Sequence, residues 1–126
     1  MTTTKAEVYR WTDRESDFPM PLLERRRVIG EKVMISQVKL TRGCFVPSHA
    51  HENEQFACIL EGCLRFGLGV EGSPEHRQVL ARAGDVVHLP SGIPHSAEAV
   101  EDTLVLDVFA PPSATTGIDR NTRSSH

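Results

Sequence analysis

The sequence predicts a single all-β domain, a barrel or a sandwich, and three observations support this prediction. From residue 32 onward, short runs of strand-forming residues recur about every 8–12 residues, with glycine-containing turns between them. No segment after residue 27 has the periodicity of an amphipathic helix. The 126 residues, of which 39% are hydrophobic and 25% charged, suit one ordinary globular domain with its own core.

The N-terminal residues 1–30 are predicted to form a short arm or first strands that pack on the barrel. Residues 1–20 are mostly polar, with a few apolar side chains as anchors. Residues 22–27 fit either one helical turn or the start of a longer strand. The consecutive arginines Arg25 to Arg27 are typical of a solvated face, and they are also a reserve of positive charge for an anionic ligand.

The barrel itself is predicted over residues 31–112. Gly62 separates two of its apolar runs, 55–60 and 64–68, and this pattern favours a β-hairpin between them. The strands of the barrel are expected at residues 33–40, 44–47, 55–60, 64–68, 78–80, 85–89 and 103–109.

The C-terminal residues 113–126 are predicted to form a flexible tail. They contain one large apolar residue, Ile118, and so bury too little surface to order themselves. His126, at the end of this tail, is expected to be inert.

The overall composition argues against several kinds of partner. A net charge of −3 gives no reason to expect nucleic acid. No apolar run approaches the roughly 20 residues that span a bilayer, and the N-terminus lacks the apolar core of a signal peptide. We therefore expect a cytoplasmic protein without a membrane partner. Its three cysteines, Cys44, Cys58 and Cys63, form no C-x-x-C pair and are expected to be reduced.

Three histidines and a glutamine form a candidate metal site. His49 and His51 are two residues apart, and on a strand this spacing directs both imidazoles to the same face. Gln55 lies six residues after His49 and has the same parity. A Pro-Ser-Gly-Ile-Pro turn at residues 90–94 delivers the third histidine, His95. Three imidazoles and one oxygen donor suit a divalent ion, with Zn, Ni, Fe and Mn all allowed.

The same residues resemble the two motifs of the cupin family. The first motif has glutamine where most cupins have glutamate, and the asparagine that usually follows the second motif is replaced by Ala99. The resemblance implies a cupin jelly-roll β-barrel with one divalent metal ion on His49, His51, Gln55 and His95. The matching patterns are Gly43-x5-His49-x-His51-x3-Gln55-x6-Gly62 and Gly84-x5-Pro90-x-Gly92-x2-His95.

The neutral glutamine has a consequence for reactivity. Three histidines and a glutamate would carry one negative charge, whereas with Gln55 the ion keeps its full charge and is the stronger Lewis acid. The substitution also weakens an assignment as an oxygenase, because iron sites of that type favour a carboxylate ligand. The other two internal histidines, His76 and His88, are expected to be surface or hydrogen-bonded residues.

A narrower resemblance is carried by residues 26–30, 49–55, 59–62 and 106–112. These segments are similar to the small cupins of pectin and alginate breakdown, which convert cyclic 4,5-unsaturated uronates to linear keto forms. The resemblance implies that Asp107 and Phe109, on the last strand, face the metal. The arginine that this family uses for the uronate carboxylate is replaced by Ser113, and the candidate substitutes are Arg120, Arg123 or one of the arginines 25–27.

Asp107 is a candidate functional residue even without the resemblance, because it interrupts an apolar strand. A buried carboxylate costs several kcal/mol unless it has a partner or a function. Asp107 shares the parity of Val105 and Phe109, so it lies beside the metal if that face lines the cavity. Two roles stay open: proton transfer at the metal, or a structural role in which Asp107 pairs with an arginine or holds a ligand histidine in its tautomer.

The expected function is metal-assisted proton transfer on a small sugar-acid-like or keto/enol substrate. Asp107 would carry the proton as general acid or base, and Phe109 would shape the pocket and exclude water. The alternatives are a metal-dependent oxygenase, a non-catalytic cupin that binds a small molecule, and a cupin without metal. A sulfonium lyase ranks low because its base is a tyrosine and the only tyrosine here is Tyr9.

A homodimer is also expected. The runs 56–60 and 104–109 are apolar on both faces, and only one face can line the barrel. The other face needs cover, which a second copy of the chain would supply.

Overall fold

The computed structural model describes residues 5–116 and 118. It confirms the all-β class, because the described residues contain ten β-strands and, beyond them, only a short 3-10 turn at Trp11–Asp13. The strands are β1 (Ser16–Met20), β2 (Leu23–Ile29), β3 (Met34–Leu40), β4 (Phe45–His49), β5 (Glu54–Glu61), β6 (Cys63–Leu68), β7 (Arg77–Arg82), β8 (Val86–Leu89), β9 (His95–Ala99) and β10 (Thr103–Ala110).

The strands form two antiparallel sheets that face each other. The larger sheet has six strands in the order β1-β2-β3-β10-β5-β8, and the smaller has four in the order β4-β9-β6-β7. Alternate residues of each strand point between the sheets, as the period of two requires. In β3, for example, Met34, Ser36, Val38 and Leu40 are buried, whereas Lys39 is exposed. This arrangement is the jelly roll predicted from the motifs.

The predicted hairpin between residues 55–60 and 64–68 is wrong. β5 pairs with β10 and β8, whereas β6 pairs with β7 and β9 in the other sheet. The chain crosses between the sheets at Gly62, whose φ of +91° suits glycine and whose Cα approaches the Asp102 carbonyl too closely for a side chain. Thr103 then holds the first residue of β6 by hydrogen bonds to both its amide and its carbonyl.

The structure also decides two local questions. Of residues 22–27, which fit a helical turn or a strand, residues 23–27 belong to β2 and pair with β3, whereas Leu22 lies in the turn before this strand. The segment after the predicted turn at residues 90–94 continues as β9, a strand that the sequence did not indicate. Gly92 makes this turn possible with a φ of +80°, and its amide donates to the His51 carbonyl at 2.9 Å.

The first strand and the last described residues pack on the barrel. The predicted N-terminal arm supplies β1, which lies on the edge beside β2. Residues 113–116 and Ile118 lie on the barrel, with Thr116 buried and Ile118 packed against the core. The prediction of a flexible tail for residues 113–126 is untested for residue 117 and residues 119–126, which lie outside the described part of the chain, as does His126.

Within the described residues, no helix is long and apolar enough to cross a membrane. All three cysteines are free, with Cys44 and Cys63 buried and Cys58 half-buried.

Candidate metal centre

The three predicted histidines converge between the two sheets. His49 ends β4, and its cross-strand partner in the smaller sheet is His95, the first residue of β9. His51 follows in the loop to β5. One ring nitrogen from each histidine lies within 4.8 Å of the others, which makes this cluster able to hold a metal ion. His49 and His95 are only 7% and 5% exposed.

The backbone fixes the same tautomer in all three rings. Each Nδ1 lies 2.8–3.0 Å from a backbone carbonyl oxygen. A carbonyl can only accept, so each Nδ1 donates a proton and each Nε2 keeps its lone pair. This orientation by an outer partner is typical of histidines that bind metals. The pairs are His49 with Pro47, His51 with Asn53, and His95 with Ile93.

The electrostatics of the cluster favour a neutral ring for His95. Burial and the neighbouring His49 together lower the pKa of His95 to about 4, while the hydrogen bond to Ile93 opposes the shift. At neutral pH His95 is therefore uncharged, and a metal ion would not have to displace a proton from it.

Gln55 links the histidines to Asp107. Its Oε1 lies 3.1 Å from Nε2 of His51, and its Nε2 donates to Oδ1 of Asp107 at 2.9 Å. The register explains the contact, because Gln55 pairs with Phe109 across β5 and β10, which makes Asp107 its diagonal neighbour. All of these side chains point between the sheets.

The environment of Asp107 is unusual for a carboxyl group. Burial raises its pKa to about 7, and the hydrogen bond from Gln55 offsets only part of this effect. On the other side, in β3, Asp107 faces Ser36. The Ser36 hydroxyl is buried and has no hydrogen-bond partner among the described residues.

A cavity connects these groups. Its walls include the ligand candidates His49, Gln55 and His95 together with Asp107, and most of its other lining residues are apolar. The Phe109 ring lies 5.8 Å from the His51 ring in an edge-on contact. The structure therefore brings all six predicted site residues together, and their chemical roles stay predictions.

The remaining predicted residues lie elsewhere. His88 is exposed, stacks on Phe56 and pairs with Glu54 at 2.7 Å, and His76 contacts the Gly69 carbonyl. Both histidines are hydrogen-bonded outside the cluster of three, as expected.

Two arginines that could replace the missing carboxylate-binding arginine, Arg25 and Arg27, have other partners in the structure. Arg25 holds Asp17, and Arg27 donates to the carbonyl of Ala114, next to Ser113. Arg120 and Arg123 lie outside the described residues.

Asn53 also supports the site, although it was not among the predicted residues. This residue is 4% exposed, its carbonyl accepts from His51, and its side chain donates to the Pro111 carbonyl. The spacing of residues could have indicated Asn53, because it has the same parity in sequence as His49, His51 and Gln55.

The donor set fits a divalent ion. In the arrangement just described, Nε2 of His51 and Oε1 of Gln55 both present lone pairs to each other, since the protons of both groups are used elsewhere. Two acceptors in contact are unfavourable unless a proton or a cation lies beside them. Imidazole nitrogens and one amide oxygen suit first-row transition metals and zinc.

Comparisons with known proteins agree with this geometry. No curated protein sequence matches the chain. Among solved structures, KdgF from Halomonas sp. superposes with a TM-score of 0.75 at 25% identity, over 87% of this chain and 97% of that protein. An RmlC-like cupin from Shewanella frigidimarina gives 0.72 at 21% identity, over 87% and 95%.

A larger protein contains the same fold as one part. Oxalate decarboxylase from Bacillus subtilis, which has Mn(II) centres, gives a TM-score of 0.77 at 21% identity, over 92% of this chain but 33% of that protein. Residues 37–109 of the present chain, more than half of it, match the cupin domain family. The chain therefore belongs to the cupin family.

Proposed function

We propose that this protein is an enzyme that binds one divalent metal ion as a Lewis acid and isomerises a small sugar acid, with the ring opening of a 4,5-unsaturated uronate as its reaction. The observation that carries this proposal is the contact chain from His51 through Gln55 to Asp107. It joins a neutral set of metal ligands to a carboxyl group in one cavity.

The ligand set is the starting point of the mechanism. His49, His51, Gln55 and His95 would hold the ion, and when bound it would stabilise negative charge that develops on a substrate oxygen. The chain itself supplies the orientation, because three backbone carbonyls fix the imidazoles and Asp107 fixes the Gln55 amide.

Asp107 is proposed as the proton carrier. Ring opening is an isomerisation: the C1 hydroxyl loses a proton, the bond from C1 to the ring oxygen breaks, and the enol at C5 becomes a ketone when C4 gains a proton. A single carboxyl group between the two positions can accept the first proton and return one at C4. Phe109, edge-on to His51, covers one side of the site and limits access of water.

Two further observations support this substrate class. KdgF from Halomonas sp. has the same fold over nearly its whole length, and the present sequence resembles the small cupins that linearise unsaturated uronates. The last strand also carries aspartate and phenylalanine in the positions that this family uses, and both face the cavity.

The decisive experiment combines metal analysis with turnover. Protein purified without a histidine tag is analysed for bound metals, stripped with a chelator, and reloaded separately with Zn²⁺, Ni²⁺, Fe²⁺ and Mn²⁺. Each form is incubated with a 4,5-unsaturated uronate monosaccharide, and NMR follows the loss of the C4 vinyl proton. We expect at least one loaded form to exceed the spontaneous rate. Failure of all four forms contradicts the proposed reaction.

The same samples separate the alternatives. Oxygen consumption by the Fe²⁺ form would favour an oxygenase. Saturable binding of the uronate without turnover would favour a non-catalytic binding protein.

We also propose that the protein forms a homodimer through the outer face of its larger sheet. Phe56, Leu60 and Val86 are 40%, 48% and 60% exposed there, and Leu106 and Val108 of β10 lie between them and β3. A contiguous apolar surface on strands favours association with a second copy.

A further inference from the structure

The C-terminal segment forms one wall of the cavity at the candidate metal centre. We call this segment, residues 113–116 with Ile118, the cap. Thr116 is only 5% exposed and Ile118 packs against the core, and both line the cavity that contains His49 and Asp107. No sequence pattern indicates this contact, since the cap belongs to a polar stretch.

The cavity is too small for a ligand of the proposed class. Its volume is about 70 Å³, which leaves room for only a few water molecules. Pockets for small organic ligands measure about 300–1,000 Å³. A metal ion and water fit beneath the cap, whereas a sugar acid does not, so some part of the wall has to move.

The cap is the part of the wall with the weakest attachment. The other lining residues lie on strands with paired neighbours in the two sheets. The cap belongs to none of the ten strands. An exposed hydrogen bond from Nη1 of Arg27 to the Ala114 carbonyl, 2.9 Å long, joins it to β2. Just before the cap, the Asn53 side chain donates to the Pro111 carbonyl and fixes the point at which it leaves the barrel.

We propose that the cap is a lid: it moves away from Arg27 to admit a ligand, and on closing it places Thr116 and Ile118 against the bound molecule. A hydroxyl and an aliphatic side chain would then meet the ligand in the cavity that the histidines also line. This inference deepens the proposed function because it concerns the same cavity. Its test needs neither metal nor turnover, so the two can fail separately.

Carbethoxylation of histidines by diethyl pyrocarbonate provides the test. The metal-free protein is treated at neutral pH, and mass spectrometry gives the rate for each histidine in the full chain and in a chain that ends at Pro112. We expect His49 and His95 to react about tenfold faster without the cap, because a site reached only through local opening becomes permanently open. His88, which is exposed in both chains, should react at an unchanged rate.

A pair of full-length variants covers the case in which the shortened chain does not fold, as a thermal melt would reveal. Arg27→Gln removes the link to Ala114 and should accelerate the modification of His49 and His95. Arg26→Gln is the matched control, because that side chain bonds to the Arg14 carbonyl and does not contact the cap. Equal rates in Arg27→Gln, Arg26→Gln and the unchanged protein would overturn the proposal, as would equal rates in a folded shortened chain.

Discussion

Gln55 and His51 face each other through two lone pairs, with Oε1 and Nε2 3.1 Å apart. The protons of both groups are committed elsewhere, that of His51 to the Asn53 carbonyl and those of Gln55 in part to Asp107. The protein thus holds two acceptors together, a geometry that a cation converts from unfavourable to favourable. This pair is the strongest structural reason to count Gln55 among the metal ligands.

Replacing Gln55 by leucine should weaken metal binding. The side chain keeps its approximate volume but loses the oxygen donor, and we expect affinity to fall about 10- to 100-fold, as when a supporting group of a metal site is removed. Titration calorimetry with Zn²⁺ or Co²⁺ measures the change. Gln78→Leu, on the exposed strand β7, is the matched control and should bind like the unchanged protein. Unaltered affinity in Gln55→Leu would exclude this residue as a ligand.

Replacing Asp107 by asparagine should separate binding from catalysis. The amide preserves the shape of the side chain but cannot exchange a proton with the substrate, so we expect metal affinity within about threefold of normal and turnover reduced by at least about 100-fold. Kinetics on the metal-loaded variant provide the measurement. Asp13→Asn, on the exposed 3-10 turn, should leave both quantities unchanged. Normal turnover in Asp107→Asn would refute the role of proton carrier.

Most of the candidate site could be predicted because the residue spacings that indicate it lie within short segments of the sequence. Strand parity alone groups His49, His51 and Gln55, and it also places Asp107 and Phe109 on one face. These relations depend only on the alternation of side chains along a strand. The position of His95 required the motif, since no local pattern states that the turn at residues 90–94 brings β9 beside β4.

The pairing of strands was less predictable, because it depends on contacts between distant residues. β10 lies between β3 and β5, and neither neighbour is close to it in sequence. Gly62 has the usual appearance of a hairpin turn, but here its positive φ directs the chain into the other sheet. The packing of Thr116 and Ile118 escaped prediction for the same reason, because most residues of the cavity that buries them are distant in sequence.

The outer face of the larger sheet should control the oligomeric state. Phe56→Ser removes the largest exposed apolar side chain of β5, and we expect it to shift the protein from dimer to monomer in sedimentation velocity at micromolar concentration. Phe45→Ser is the matched control, because Phe45 is similarly exposed, at 53%, but lies on the smaller sheet. A monomeric unchanged protein, or dissociation by Phe45→Ser alone, would contradict this assignment of the interface.

The N-terminal strand should depend on one ion pair. Arg25, which is 4% exposed on the inner side of β2, binds both carboxylate oxygens of Asp17 in β1 at 3.0 and 2.6 Å. Asp17→Asn removes the negative charge of this carboxylate beside the buried cation. Because Asp17 itself is half-exposed, solvent screens part of the interaction, and we expect a loss of about 1–3 kcal/mol in the free energy of unfolding.

The pH dependence of this loss identifies its cause. The hydrogen bonds from Arg25 hold the pKa of Asp17 below its ordinary value of 3.8. The pair therefore stabilises the folded state fully above pH 3.8, and the stabilisation disappears as the pH falls through the lower folded-state pKa. Urea unfolding of the unchanged protein and Asp17→Asn should give a difference that is constant at neutral pH and shrinks in acid. Asp13→Asn should show no such difference, since no hydrogen bond or ion pair of its side chain is seen in the described structure. A difference for Asp17→Asn that persists unchanged at low pH would mean that packing, rather than charge, fastens β1 to the barrel.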